Sequence, residues 1–274
     1  MKILQLGKKN LDVSHPVVMG ILNVTPDSFY DGGHYETETA IIGRIHQIVE
    51  EGAGIIDIGA YSTRPGAAMV DKKEELARLA PAVELVRKYY PSVPVSIDTF
   101  RSEVAREIYH CLGEVIVNDI SGGTMDTEMF GFIAETRLPY VMMHIQGTPQ
   151  TMQKNPVYRD VTKEVYRFFE ERTDLLRAAG NIILDPGFGF GKTLDHNYEL
   201  MNHLDLFQEL GYPLLVGISR KSMISRLLET TPAEALNGTT VLNTIALMKG
   251  AAILRVHDVK EAVETVKIVE RLLF

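Results

Sequence analysis

Asp98, Asn118 and Asp185 each stand at or just past the end of a short aliphatic run, and each offers acceptor or amide groups. A carboxylate can accept from two N–H donors side by side, so such residues suit the donor edge of a flat heterocycle. A second set, Arg64, Lys221, Arg255 and His257, consists of donors or cations. The chain carries 28 basic and 36 acidic residues, a formal net charge of −8, so any phosphate must be held by a local basic cluster of this kind. In Ile253-Leu254-Arg255-Val256-His257-Asp258, Arg255 and His257 share one face of a strand, opposite Leu254 and Val256. One set would read a ring and the other would hold an anion.

Each residue also has a plainer explanation. Asp98 or Thr99 would serve as a helix cap, Asn118-Asp119 as an Asx turn before Ser121-Gly122-Gly123, and His144 as a satisfied core histidine. What argues for a site is recurrence along the chain. Ile182-Ile183-Leu184 reads as a strand buried on both faces that stops at Asp185-Pro186-Gly187. The loop that follows, through Gly189, Gly191 and Lys192, has neither Walker A spacing, because Pro186 sits where the first Gly belongs, nor the dinucleotide fingerprint.

The same event, an apolar run and then a polar residue, recurs at Val17–Leu22, Ile55–Ile58, Val95–Ile97, Val115–Val117, Tyr140–Met143, Leu214–Ile218 and Ala252–Val256. Segments of helical periodicity lie between them: Ala40–Glu51, Lys73–Tyr89, 101–112, 126–137, Val161–Ala179, Tyr198–Leu210, Ala233–Met248 and Val259–Leu273. Eight strands alternating with eight helices predict an α/β protein, a (β/α)8 TIM barrel forming one domain over residues 1–274. A doubly wound open sheet is the rival, expected to show fewer strands and one switch point. Residues 2–13 alternate around Gly7-Lys8-Lys9-Asn10 and predict an N-terminal β-hairpin. In a barrel the strand ends face one another, so residues far apart in sequence converge. The start of the helix after Ser219-Arg220-Lys221-Ser222 would add backbone N–H groups for a second anion. Asn23–Gly33 and Ser62–Gly66 read as long and cationic loops respectively, with Phe29 a lid-like apolar residue in a polar stretch.

The charge balance argues against a nucleic-acid or anionic-membrane partner, and no run approaches membrane-spanning length. Cys111, the single cysteine, excludes an intrachain disulfide and is expected to be a small buried residue in a helix. The cytoplasm is the expected compartment. Apolar positions near the C-terminus, such as Ile245, Leu247 and Val266, would suit either an interface or barrel core.

Taken in order, Gly20–Phe29, Ser62–Gly66, Ser96–Thr99, Val117–Gly123, Met143-His144 with Gly147–Pro149, Leu184–Thr193, Ser219–Lys221 and Arg255–Asp258 closely resemble the dihydropteroate synthase family. The resemblance implies condensation of 6-hydroxymethyl-7,8-dihydropterin diphosphate with 4-aminobenzoate, giving dihydropteroate and diphosphate. It implies pterin binding by Asp98, Asn118, Asp185 and Lys221, and Mg²⁺ coordination by Asn23. Diphosphate would fall to Arg255 and His257. Thr63, Arg64, Pro65, Phe190, Lys221 and Ser222 would border the aminobenzoate pocket, with the loops around Phe29 and Arg64 closing over it, in a homodimer. Tyr30 and Ala60-Tyr61 depart from the usual family pattern. A pterin-binding methyltransferase domain with a corrinoid partner is the nearest rival, and a non-catalytic barrel another. The Ser62–Gly66 loop and the retained Asn23, Arg255 and His257 speak against both.

Overall fold

A computed structural model describes residues 3–7, 9–25, 34–61 and 70–273, with backbone alone at 34–37. Phe29 and Tyr30 in the first loop, and Thr63, Arg64 and Pro65 in the second, lie outside the described residues.

Strands β1 (Ile3–Leu6) and β2 (Lys9–Asp12) pair antiparallel with Leu6 opposite Lys9, as the alternation predicts, and Gly7 takes φ +59 at the turn. Eight parallel strands then close a barrel in the order β10-β3-β4-β5-β6-β7-β8-β9. They are β3 (Val17–Asn23), β4 (Ile55–Gly59), β5 (Val95–Asp98), β6 (Ile116–Asp119), β7 (Tyr140–Met143), β8 (Ile182–Asp185), β9 (Leu214–Val216) and β10 (Ala251–Val256). The closed order removes the open-sheet alternative.

Helices α1 (His34–Glu50), α2 (Lys72–Tyr89), α3 (Ser102–Leu112), α4 (Met129–Thr136) and α5 (Val161–Leu175) follow β3 to β7 in turn. After β8 comes α6 (Leu194–Asn202), which starts earlier than periodicity suggests because Thr193 caps it. Thr193 Oγ1 accepts from His196 N, and Thr193 N donates to His196 Nδ1. A 3-10 turn at Leu204–Leu210 completes that segment. A short α7 (Ser222–Leu227) precedes α8 (Leu236–Met248), and α9 (Val259–Leu273) closes the chain.

Alternation along the strands sorts side chains between two cores. Ile56, Ile58, Val95, Ile97 and Val117 point outward and pack under the helices. Met19, Ile55, Ile116, Val141, Ile183, Leu215 and Ile253 fill the lower lumen, where Leu4, Leu6 and Val13 of the hairpin segment plug the barrel floor. The lumen is therefore apolar below, and the next inward positions upward are Asp57, Asp98, Asn118, Asp185 and Arg255.

Cys111 corrects one expectation. It lies in α3 but is exposed, with its thiol 3.6 Å from Glu107 Oε1 one turn back, because the helix turns that face to solvent. Leu247 and Val266 are buried in the outer core, whereas Ile245 is exposed. No helix among the described residues is long and apolar enough to cross a membrane.

Candidate active site

Strand register lays the site out before any side chain is considered. Asn23 pairs laterally with Gly59, Gly59 with Asp98, and Asp98 with Asn118, one row across four neighbouring strands at the barrel mouth. Gly59 leaves a gap in that row. A Cβ there would come within 3.4 Å of Asn23 Oδ1 and 3.8 Å of Asp98 Oδ2. Two residues below Gly59, and so on the same face, lies Asp57.

Asp57 is fully buried and ties the row together. Arg255 donates from Nε to Asp57 Oδ2 at 2.7 Å and from Nη2 to Asp98 Oδ2 at 2.8 Å, while Asn118 Nδ2 lies 3.3 Å from both Asp57 oxygens. With the amide nitrogen of Asn118 facing Asp57, its oxygen becomes the group offered elsewhere. Asp57 was not among the candidates read from the sequence. The available signal was a carboxylate in the middle of Ile55-Ile56-Asp57-Ile58, where only an inward partner makes burial tolerable.

On the far side of the mouth, Asp185 Oδ1 accepts from Gly187 N at 2.8 Å. Lys221 Nζ donates to Phe188 O at 2.5 Å and sits 4.6 Å above the Phe190 ring. Burial raises the Asp98 carboxyl to about 7, with Arg255 pulling it down and Asp57 pushing it up. Burial also lowers the Lys221 ammonium to about 8, against the pull of Asp185. Burial alone would lower the Arg255 pKa, but Asp57 and Asp98 more than reverse this, so the guanidinium stays charged.

Of the donors or cations read from the sequence, His257 is a donor without a charge. Burial and then the Arg255 charge lower it to about 4, so it is a neutral imidazole at physiological pH. Ser219 Oγ accepts from His257 N at 3.2 Å and lies 3.1 Å from Nδ1. Were the Ser219 hydroxyl to donate to Nδ1, the ring proton would sit on Nε2 and His257 would act as a neutral donor. Arg220 is a structural clamp: at φ +55 it makes a bidentate pair with Asp258, through Nε at 2.9 Å and Nη2 at 2.8 Å.

The plainer explanations hold for some residues and fail for others. Asp119 makes the turn, accepting from Ser121 N at 2.7 Å, Gly123 N at 2.9 Å and Tyr140 Oη at 2.7 Å. Asp98 does not cap α3, whose Ser102 N donates to Asp126 Oδ2. His144 is a buried core histidine, edge-on to Phe168 at 4.9 Å, with Lys192 Nζ 3.0 Å from its Nδ1. Ser222 is exposed at the start of α7, a helix of six residues whose few aligned peptides supply little dipole for the second anion expected there.

The described flanks of the second loop are fixed at both ends. Arg78 Nη1 donates to Ala60 O at 3.1 Å, and Tyr61 packs edge-on against Phe100 at 5.8 Å. Arg101 Nη2 donates to Val70 O at 2.8 Å, and its other arm pairs with the buried Glu75. Thus Asn23, Asp98, Asn118, Asp185, Lys221, Arg255 and His257 stand around the mouth, as their strand-exit positions predict, and Phe190, expected from the resemblance alone, lies beneath Lys221.

A family model described as a pterin-binding enzyme matches residues 19–257. The dihydropteroate synthase of Escherichia coli K12 is 48% identical over 274 residues, covering 98% of this chain and 96% of its own. That of Synechocystis is 45% identical over 260 residues, covering 93% and 89%. Among solved structures, the Yersinia pestis dihydropteroate synthase in complex with a sulfonamide drug superposes with a TM-score of 0.91 at 44% identity, covering 99% of both chains. The Xanthomonas albilineans enzyme with 4-aminobenzoic acid gives 0.90 at 38% identity, covering 99% and 98%. The chain belongs to the pterin-binding enzyme family and, within it, to the dihydropteroate synthases.

Proposed function

We propose that the barrel mouth condenses 6-hydroxymethyl-7,8-dihydropterin diphosphate with 4-aminobenzoate by letting diphosphate leave before the amine attacks. The observation that carries this reading is Arg255, a fixed cation gripped by Asp57 and Asp98 at the centre of a row of acceptors. Asp98, Asn118 and Asp185 present acceptors to the donor edge of the pterin ring, with Lys221 beside them. The two carboxylates engage Nε and Nη2 of Arg255, a group with five donors, so it can also meet a phosphate. His257 adds a neutral N–H to the same anion. Negative charge grows on the departing diphosphate and positive charge on the pterin methylene. Arg255 and His257 oppose the first, and Asp98 and Asp185 tolerate the second. The aromatic amine is a weak nucleophile, which favours a well-developed electrophile. Phe190, Lys221 and Ser222, with Thr63, Arg64, Pro65 and Phe29 from the two loops, are assigned to the aminobenzoate side.

Asn23 fits a Mg²⁺ site. Its Oδ1 is a hard oxygen beside the gap left by Gly59 and near Asp98, and Mg²⁺ is commonly held by one or two protein oxygens plus water and substrate phosphate. Bound there, the ion would neutralise diphosphate charge.

A homodimer and a cytoplasmic location belong to the same proposal. Helices α8 and α9 pack side by side and expose Val241, Ile245, Met248, Ile268 and Leu272, which supports an interface between two copies. Sedimentation of purified protein should give twice the chain mass, and a monomer at micromolar concentration would contradict it.

Diphosphate release, followed with the pterin diphosphate and Mg²⁺ with and without 4-aminobenzoate, tests the function. Sustained turnover that requires aminobenzoate is expected. Tight pterin binding with no turnover would move the protein to a binding role.

A further inference from the structure

Lys192 is 3% exposed, and among the described residues its ammonium has no hydrogen bond to a carboxylate. Its Nζ instead lies 3.0 Å from His144 Nδ1, 3.0 Å from Gly187 O and 3.1 Å from Phe190 O. These three shortest contacts match the three hydrogens of –NH3⁺, with His144 O a fourth, longer acceptor at 3.5 Å. The His144 pKa is lowered far below its usual value, by burial and then by Lys192, and because an ammonium can only donate, the neutral ring that faces it accepts at Nδ1. Burial also lowers Lys192 itself to about 7, with Asp185 opposing, so the three-donor ammonium is the form held at and below about that pH.

These contacts belong to a larger pattern. Every carbonyl from Gly187 to Gly191 accepts from a side chain: Gly187 O from Lys192, Phe188 O from Lys221, Gly189 O from Gln153 Nε2 at 2.7 Å, Phe190 O from Lys192, and Gly191 O from Tyr158 Oη at 2.8 Å. The three glycines take φ between +60 and +81. A Cβ at Gly187 would fall 2.0 Å from His144 O, and one at Gly191 would fall 2.5 Å from Gln146 O. The loop is thus pressed backbone to backbone on the segment after β7 and pinned at five consecutive carbonyls. Filling the space alone would not need a charge, since buried ions are commonly replaced by apolar residues without loss of stability. The ammonium is spent on placing carbonyls 187 and 190. Between them lies carbonyl 188, which Lys221 uses, and residue 190 carries the ring beneath Lys221.

We propose that Lys192 is a positioning residue, whose ammonium shapes the Gly187–Gly191 loop and thereby sets where Lys221 and Phe190 meet the aminobenzoate. This inference rests on the condensation reaction assigned to the mouth.

Its test compares Lys192→Met and Tyr158→Phe with wild type in diphosphate release, titrating each substrate separately, alongside equilibrium binding of the pterin diphosphate. Lys192→Met should raise KM for 4-aminobenzoate about tenfold or more, the size of a lost hydrogen bond to a charged group. Pterin diphosphate binding should weaken several-fold less than the aminobenzoate KM rises, because Asp98, Asn118 and Arg255 sit on strands apart from the loop, and only Asp185, through Gly187 N, and Lys221, through Phe188 O, touch it. Tyr158→Phe, losing one neutral hydrogen bond, should shift the same KM by about two- to fivefold. If Lys192→Met does not fold, Tyr158→Phe decides alone. Unchanged aminobenzoate KM in the folded variants would overturn the inference, as would equal weakening of both substrates. Absence of aminobenzoate-dependent release from wild type would instead overturn the reaction assigned to the mouth.

Discussion

Replacing Asp57 by Asn would leave the Arg255 guanidinium facing one carboxylate where it now faces two. The loss of a charge-assisted bond predicts a fall of about 10- to 100-fold in kcat/KM for the pterin diphosphate, measured at saturating aminobenzoate. Asp57→Ala, which strips a buried pair of one member, should cost about 3 kcal/mol and lower the melting temperature by several degrees. The titrating groups make a second prediction. Asp98 can accept two neighbouring ring donors while pairing Arg255 only as a carboxylate, and its pKa stands near 7, so kcat/KM should fall as pH drops below about 7. Lys221 loses its charge above about 8, giving an alkaline limb that Lys221→Arg should move upward. The apparent values belong to the cluster as a whole. A flat profile from pH 6 to 9 would contradict both assignments. At this scale the sequence revealed the residues at strand exits but not the charge they carry. Neutral His257 depends on burial and on Arg255, Arg220 and Arg44, which only the fold brings together. Asp57 was not legible because it sits inside a strand rather than at its end, and the role of Lys192 was not because its partners are mostly backbone carbonyls, which leave no residue-type signature.

Among the elements, strand identity and order were legible because buried parallel strands read as unbroken aliphatic runs between amphipathic helices. The lateral row Asn23–Gly59–Asp98–Asn118 was not, since register depends on pairing across the sheet. The Gly187–Gly191 loop shows how an element sets a site. Gly187→Ala combines a left-handed backbone with a Cβ that would overlap His144 O, so it should cost about 3 kcal/mol or more. Thermal unfolding checks this, and an unchanged melting temperature would show that the loop is not pinned as described. Helix ends were the least legible. The start of α6 is set by Thr193 with a histidine at the third helical position in place of the usual Glu or Gln.

Over the whole molecule, stability and chemistry occupy opposite ends of the barrel. The hairpin seals an apolar floor, and the polar mouth lies at the carboxyl ends of the strands. Leu4→Ala, at a residue 1% exposed in that floor, should cost about 3 kcal/mol while leaving kcat within about twofold. A fall in kcat at a temperature where the variant is fully folded would show that floor and mouth are coupled. If the Arg255 cluster drives departure of diphosphate ahead of amine attack, diphosphate must leave without the amine present. The most direct measurement is single-turnover diphosphate release from enzyme and pterin diphosphate with Mg²⁺, aminobenzoate omitted, in wild type and Arg255→Ala. Release by wild type, slowed about 100-fold or more in the variant, is the predicted result. Release that is unchanged in the variant, or absent from wild type until aminobenzoate is added, would contradict it.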